Sequence, residues 1–230
     1  MTLFLDYPEP DNYSPMPMMP ILDFHTHRLD AEGALISVDP RQFDPQPGSC
    51  YSVGFHPWHD VDRLTAGDWA LLEQCARHPQ VLAIGETGMD TLRGSDIDIQ
   101  ADAFRRHLQL AHDLGKPVVA HCVRTAQRLL DVRRCAGLTG VTLAIHGMRA
   151  NERVARLLLD GGCYLSFGAR FNPAALAITP PDRLLIETDD SPTLIGDVAA
   201  AVAQALQMPT QQLQDLVTAN ALRCLASCHR

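Results

Sequence analysis

The run Ile21-Leu-Asp-Phe-His-Thr-His27 brings three metal-capable side chains, Asp23, His25 and His27, to the end of a short apolar stretch. They fall at alternate positions. Side chains of an extended strand repeat every two residues, so all three are expected on one face. Two imidazoles side by side at a buried strand end can bind one divalent ion. Further apolar runs close on groups of the same kind: Cys50 to His56, Val81 to Glu86, Pro117 to His121, Val141 to His146 and Arg183 to Asp189. Only the run Gly162 to Gly168 ends otherwise. Six independent structural reasons would be needed to place costly polar groups at six buried strand ends, whereas one shared metal site explains them all.

The ligand inventory is four imidazoles, His25, His27, His121 and His146, with the carboxylates Glu86 and Asp189. That is too many for one tetrahedral ion and suits two divalent ions sharing a bridge, with Mg2+, Mn2+ or Zn2+ as candidates. A pair of such ions would make a bridging water acidic and clamp the oxygens of a phosphate or a carbonyl. Lys116 is the chain's sole lysine, but it precedes its apolar run and belongs at the opposite end of the strand, so Glu86 is the expected bridge.

Helical spacing separates these runs. Helices are expected over Ala66 to His78, Ile97 to Leu114, Thr125 to Cys135, Asn151 to Asp160, Ile195 to Gln207 and Thr210 to Leu225, the last with Thr210 as N-cap. Short continuous apolar runs alternating with helices indicate a parallel sheet covered on both faces. Seven runs, with an eighth not located, favour an α/β fold of the closed (β/α) TIM-barrel type, whose chemistry sits at the carboxyl ends of the strands. An open doubly wound sheet is weaker, because no Gly-rich phosphate loop follows the first strand. The segment between the first two runs reads as a Pro- and Asp-rich loop, residues 1–20 as a Pro-rich lead rather than a signal peptide, and residues 21–230 as one barrel domain.

Composition narrows the partners. There are 19 Lys and Arg against 27 Asp and Glu, a formal net charge of -8, which disfavours a polyanion held mainly by basic protein surface. No apolar run reaches membrane-spanning length, and no obligate protein partner is evident. Seven cysteines at irregular spacing read as reduced thiols of a cytoplasmic protein. Cys224, Cys228 and His229 lack a second ligand pair, so a zinc site there is weakly supported.

Six segments, in this order, resemble the motifs of the TatD-like metal-dependent hydrolases: Asp23-Phe-His-Thr-His27, Gly54-Phe-His-Pro57, Gly85-Glu-Thr-Gly-Met-Asp90, Pro117-Val-Val-Ala-His121, His146-Gly147 and Glu187-Thr-Asp189. The resemblance spans Ile21 to Leu225. It implies a (β/α) barrel and, for many members, metal-dependent deoxyribonuclease activity with 3′-exonuclease action. Carried over, His25, His27, Glu86, His121, His146 and Asp189 are metal ligands. Glu86 bridges, Asp189 also accepts the proton of the attacking water, and His56 lines the site near the scissile phosphate. The chain departs from the pattern in three places. Arg124 lies three residues after His121, where the family's arginine is usually two after. Gly147-Met-Arg149 replaces a common Phe-Ser-Gly, and Asp190-Ser-Pro-Thr replaces a basic Gly-Lys-Arg-Asn segment. This implies a short branch with a reduced polynucleotide grip.

Arg124, Arg149 and Arg170 each follow a strand end and are candidates for phosphate contact, while Trp58, Phe167 and Phe171 are candidates for stacking a base, Trp58 foremost. The expected function is therefore a divalent-metal-dependent phosphodiesterase acting on DNA ends or on small phosphoesters. An amidohydrolase or deaminase using the same two ions stays open as the alternative, as does a silent barrel that only binds.

Overall fold

Eight short apolar segments pair edge to edge in the computed structural model, which describes residues 20–226. They are β1 (Asp23–Thr26), β2 (Ala34–Val38), β3 (Cys50–Val53), β4 (Val81–Asp90), β5 (Val118–Val123), β6 (Leu143–Ile145), β7 (Tyr164–Phe167) and β8 (Leu184–Ile186). All neighbours are parallel and the spatial order follows the sequence. Helices α1 (Ala66–Ala76), α2 (Ile97–Leu114), α3 (Ala126–Cys135), α4 (Glu152–Asp160) and α5 (Pro173–Ala177) fill the crossovers from β3 onward, and α6 (Ile195–Ala205) and α7 (Thr210–Ala226) follow β8. The arrangement is a (β/α) barrel.

Two expectations are corrected. The eighth strand is β2, lying in the segment read as a loop. Its Ala-Leu-Ile-Ser-Val is apolar and β-branched but only five residues long, and Asp39-Pro40 breaks it at once. Strand β4 runs on past Glu86 to Asp90, because Thr87 to Asp90 pair with Ala120 to Val123 of β5 despite the glycine at 88. The expected helices recur to within two residues at each end, with Asn151 capping α4, but Thr210 is the first residue of α7 rather than its cap. The Pro-rich lead and Cys228-His229 lie outside the described residues. Cys50, Cys75, Cys122, Cys135 and Cys163 are reduced thiols. No helix among the described residues is long and apolar enough to cross a membrane.

Strand periodicity carries the core up to the site. Ile36, Ile84, Val118, Leu143 and Ile186 pack in one cluster with helix residues such as Phe104, Leu108 and Leu129. Their neighbours Leu35, Ala83, Val119, Ala144 and Leu185 form a second cluster. Two residues further along this second face lie His121, His146 and Glu187, so the polar groups continue a buried surface rather than interrupt it.

The barrel closes through a thin seam. Beyond β8 the only pairing with β1 among the described residues is a single bridge, Thr26 to Asp189, with Asp189 N–H donating to the His25 carbonyl at 2.9 Å. The Asp23 carboxylate reinforces it, accepting from Thr188 N–H at 2.9 Å and from Thr188 Oγ1 at 2.6 Å. The seam therefore fixes Asp189 directly beside the His25-Thr-His27 pair.

Candidate metal centre

Glu86 occupies the centre of the mouth, and a bulge puts it there. Four residues of β4, from Ile84 to Thr87, oppose three of β5, from Val118 to Ala120. The extra residue re-aims the side chain that follows. The bulge needs glycine at 85, where φ is +140° and a Cβ would come within 2.4 Å of the Val119 carbonyl oxygen.

The two oxygens of Glu86 face different imidazoles. Oε2 lies 3.2 Å from His25 Nε2 and 3.3 Å from His27 Nε2. Oε1 lies 2.7 Å from His146 Nε2, 2.8 Å from His56 Nε2 and 3.0 Å from His121 Nδ1. Asp189 Oδ1 adjoins the first group, 3.8 Å from His25 Nε2 and 3.7 Å from His27 Nε2. All six sequence-derived ligands are thus brought together. Asp23 is not among them: although it shares the alternation of His25 and His27, its carboxylate is spent on Thr188 across the seam. Burial pushes that carboxyl up to about 6 even against the two Thr188 hydrogen bonds.

The donor set fits divalent cations. His25, His27 and Glu86 form one group whose ligand atoms lie within 4.8 Å of one another; His25, His146 and Asp189 form another, and His56, Glu86 and His121 a third. Neither ring nitrogen of His25 nor Glu86 Oε2 has a hydrogen-bond partner, although all are buried. Buried polar atoms without partners are costly, and atoms converging on one point are what a cation would satisfy. Burial alone would raise the Glu86 carboxyl, but His146, His121 and His25 outweigh it and hold it well below the usual carboxylate range. Burial opposes charge on His146 as well, yet Glu86 and Glu187 raise it well above an ordinary imidazole. Carboxylate and imidazoles here stand in for the charge balance that cations would supply.

His56 differs from the others. Its Nδ1 accepts from Trp58 N–H at 3.1 Å, which leaves the proton on Nε2 facing Glu86 Oε1. A ring held in this tautomer donates a hydrogen bond at Nε2 and is a poor cation ligand through that atom. Burial lowers its pKa despite Glu86, so it stays neutral. The turn role and the site role of His56 are therefore one arrangement.

Two carboxylates not singled out from the sequence orient the ligand rings. Asp90 Oδ2 lies 3.2 Å from His121 Nε2 and accepts from Trp58 Nε1 at 2.7 Å. Glu187 Oε1 lies 3.6 Å from His146 Nδ1 and accepts from Gly147 N–H at 2.5 Å. Asp90 engages the outer nitrogen of His121 and Glu187 faces that of His146, each leaving the inner nitrogen toward Glu86, the usual support of a metal-binding histidine. Both residues stand inside the quoted motifs, but nothing in their spacing separates an orienting carboxylate from a ligating one. Burial would raise Asp90, and the bonds from Leu92 N–H, Trp58 and His121 lower it overall.

The mouth opens into two adjoining cavities. One of ≈ 440 Å³ reaches from Glu86 and His56 toward Leu29 and Gln42. The other, of ≈ 410 Å³, is lined by Arg124, Arg149 and Arg170 together. All three arginines are exposed, and Arg149 Nη2 lies 3.8 Å from Asp189 Oδ2. Of the aromatic candidates, Trp58 borders both cavities. Phe167 does not reach the mouth, because it is fully buried at the end of β7 in the outer core, and Phe171 is partly buried against the same core. Lys116 lies at the amino end, its Nζ donating to the carbonyls of Ala76 and Val81.

Known proteins share this architecture. The chain is 28% identical over 193 residues to the metal-dependent hydrolase YabD of Bacillus subtilis, covering 75% of each protein. It is 34% identical over 164 residues to the 3′-5′ ssDNA/RNA exonuclease TatD of Edwardsiella piscicida, covering 66% of this chain and 62% of that protein. The crystal structure of the TatD homologue YjjV from Escherichia coli K12 superposes with a TM-score of 0.76 over 90% of this chain and 98% of that one, at 21% identity, a likeness of fold. The family model "TatD related DNase" matches residues 43–226, and with the barrel and the motif order agreeing, the chain belongs to this family of metal-dependent hydrolases.

Proposed function

We propose that this hydrolase is a phosphodiesterase acting on DNA ends, with His25, His27, Glu86, His121, His146 and Asp189 holding two divalent ions, Mg2+, Mn2+ or Zn2+, and Glu86 bridging them. The division of the two Glu86 oxygens between separate imidazole groups is the observation that carries this reading. When bound, the ions would supply Lewis acidity and offset the charge that builds on the phosphate. Asp189 sits at the rim with Oδ1 toward His25 and His27, which leaves Oδ2 for the cavity. There it takes the proton of the attacking water as the new P–O bond forms and can return it to the departing alkoxide as the ester bond breaks. His56 offers its Nε2 proton to a non-bridging phosphate oxygen, and Arg124, Arg149 and Arg170 face the phosphates. The exonuclease named among the relatives supports a nucleic-acid substrate.

The test is hydrolysis of a 3′-labelled single-stranded oligonucleotide by protein loaded with each metal in turn, beside a panel of amides and simple phosphodiesters. Metal-dependent release of nucleotides is expected. Turnover of amides with the phosphodiesters left intact would overturn the assignment.

A further inference from the structure

The two cavities at the mouth differ in charge. The first has no arginine or lysine in its wall; beyond the Glu86 cluster it is bounded by Leu29, Ser37, Val38, Gln42 and Trp58. Of its acidic wall residues, Asp39 is engaged by Arg41 at 2.8 and 2.6 Å, while Asp189 and Asp190 are shared with the second cavity. The second carries three arginines against Asp189 and Asp190, and Asp189 belongs to the metal centre. Trp58, His121, His146, Asp189 and Asp190 border both, so the hydrolytic centre lies on the boundary.

Trp58 is the apolar member of the wall between them, and it is held on both sides. Trp58 Nε1 is bonded to Asp90, and the Arg93 guanidinium lies 4.6 Å from the ring centroid. The large exposed apolar side chains among the described residues are Leu29, Trp58, Leu92, Ile99 and Leu194. Each lies on a segment that follows the carboxyl end of a strand or opens the next helix, which puts them around the mouth. An exposed apolar rim beside a basic cleft suits a ligand with an apolar, planar part and an anionic backbone.

We propose that the mouth sorts its substrate by charge. The uncharged terminal nucleoside seats in the arginine-free cavity beside Leu29, Gln42 and Trp58, and the phosphates of the preceding nucleotides run over Arg124, Arg149 and Arg170. The scissile phosphate lies between, at Glu86. The inference rests on the phosphodiesterase reading and adds a register to it. A cavity of ≈ 440 Å³ is ample for one nucleoside.

The test pairs deletion of charge on the substrate with deletion on the protein, as a double-mutant cycle does. Metal-loaded protein is given a four-residue oligothymidylate, and the same oligomer with uncharged methylphosphonates at every linkage but the terminal one. The parent is expected to show a KM higher by about fivefold or more for the methylphosphonate oligomer, since backbone charge supplies much of the affinity. Arg149→Ala and Arg170→Ala each reduce that KM ratio about threefold, and together bring it near unity. Gln42→Trp, which fills the arginine-free cavity, raises KM for both oligomers by a similar factor and keeps the parent's ratio. Equilibrium affinities, read by fluorescence anisotropy on labelled oligomers with an uncleavable terminal phosphonate, follow the same pattern. A parent ratio of unity, arginine variants that keep the ratio, or a Gln42→Trp variant with both KM values intact overturns the sorting while the activity itself stands. A parent inert on both oligomers instead removes the phosphodiesterase reading, and the register with it.

Discussion

The two ends of this barrel treat buried polar groups in opposite ways. At the amino end they are spent mainly on backbone carbonyls, with Arg133 Nε the exception. Lys116 Nζ donates to Ala76 and Val81, the Arg133 guanidinium to Val141 and Gly161, and Asn220 Nδ2 to Pro181 and Leu184 at 2.7 Å each. These contacts tie helix ends to strand starts and leave nothing aimed at solvent. At the carboxyl end, five imidazoles crowd one carboxylate, and buried atoms of His25, Glu86, His146 and Glu187 have no hydrogen-bond partner. One end is arranged to be stable alone; the other is complete only with a ligand. The type of a buried polar residue is therefore less informative than whether its hydrogen bonds close within the chain.

The sharpest way to break this contrast is Glu86→Gln. It removes the charge shared by both imidazole groups and is expected to lower hydrolysis about 1000-fold, with bound metal lost in elemental analysis. Activity within tenfold of the parent would show that Glu86 does not bridge.

A smaller effect is expected from acid, through a group that links core to mouth. His107, on α2, accepts from Phe55 N–H at 3.0 Å through Nε2, while its Nδ1 donates to the Ala103 carbonyl at 2.7 Å. Burial holds its pKa down to about 4, so the folded chain keeps it neutral where the unfolded chain protonates. Its contribution is whole above pH 6.5 and is lost as pH falls from there toward 4, on the order of 3 kcal/mol. Urea melts across that range should show the fall, and His107→Leu should flatten it. An equal slope in the variant would assign the acid sensitivity elsewhere.

Asp90→Asn comes next. It weakens the support of His121 and should cost about ten- to a hundredfold in metal affinity, with Trp58 fluorescence changed because its Nε1 partner changes. Unaltered affinity would reduce Asp90 to a loop anchor. The smallest expected effect tests the opposite end. Asn220→Leu leaves the buried Leu184 carbonyl and the part-buried Pro181 carbonyl short of a donor and should lower stability by about 1 to 2 kcal/mol, while metal content per folded molecule holds. Loss of metal there would mean the ends are not independent.

The convergence of six side chains was legible because their signal is local. Each of His25, His27, Glu86, His121, His146 and Asp189 closes an apolar run, and strand periodicity with a common polarity is enough to send them to one mouth. The position of Lys116 before its strand likewise excluded it. Strand β2 was missed because five residues between Gly33 and Asp39-Pro40 are too few to outweigh the turn signals around them. Phe167 was misplaced for a related reason: at the end of an apolar run, a single step of strand register separates the mouth from the outer core.

Residue type and spacing, by themselves, determined the barrel class and the gathering of six metal-capable side chains at one mouth, since both follow from periodicities of two and of about 3.6 that each segment carries alone. The tertiary structure alone decided how those groups divide. Which Glu86 oxygen meets which ring depends on a bulge in β4 pairing with β5. Asp23's place in the seam depends on Thr188, 165 residues away, and the orienting roles of Asp90 and Glu187 depend on rings from other strands. Contacts between distant segments exist only once the chain closes, so no local pattern encodes them.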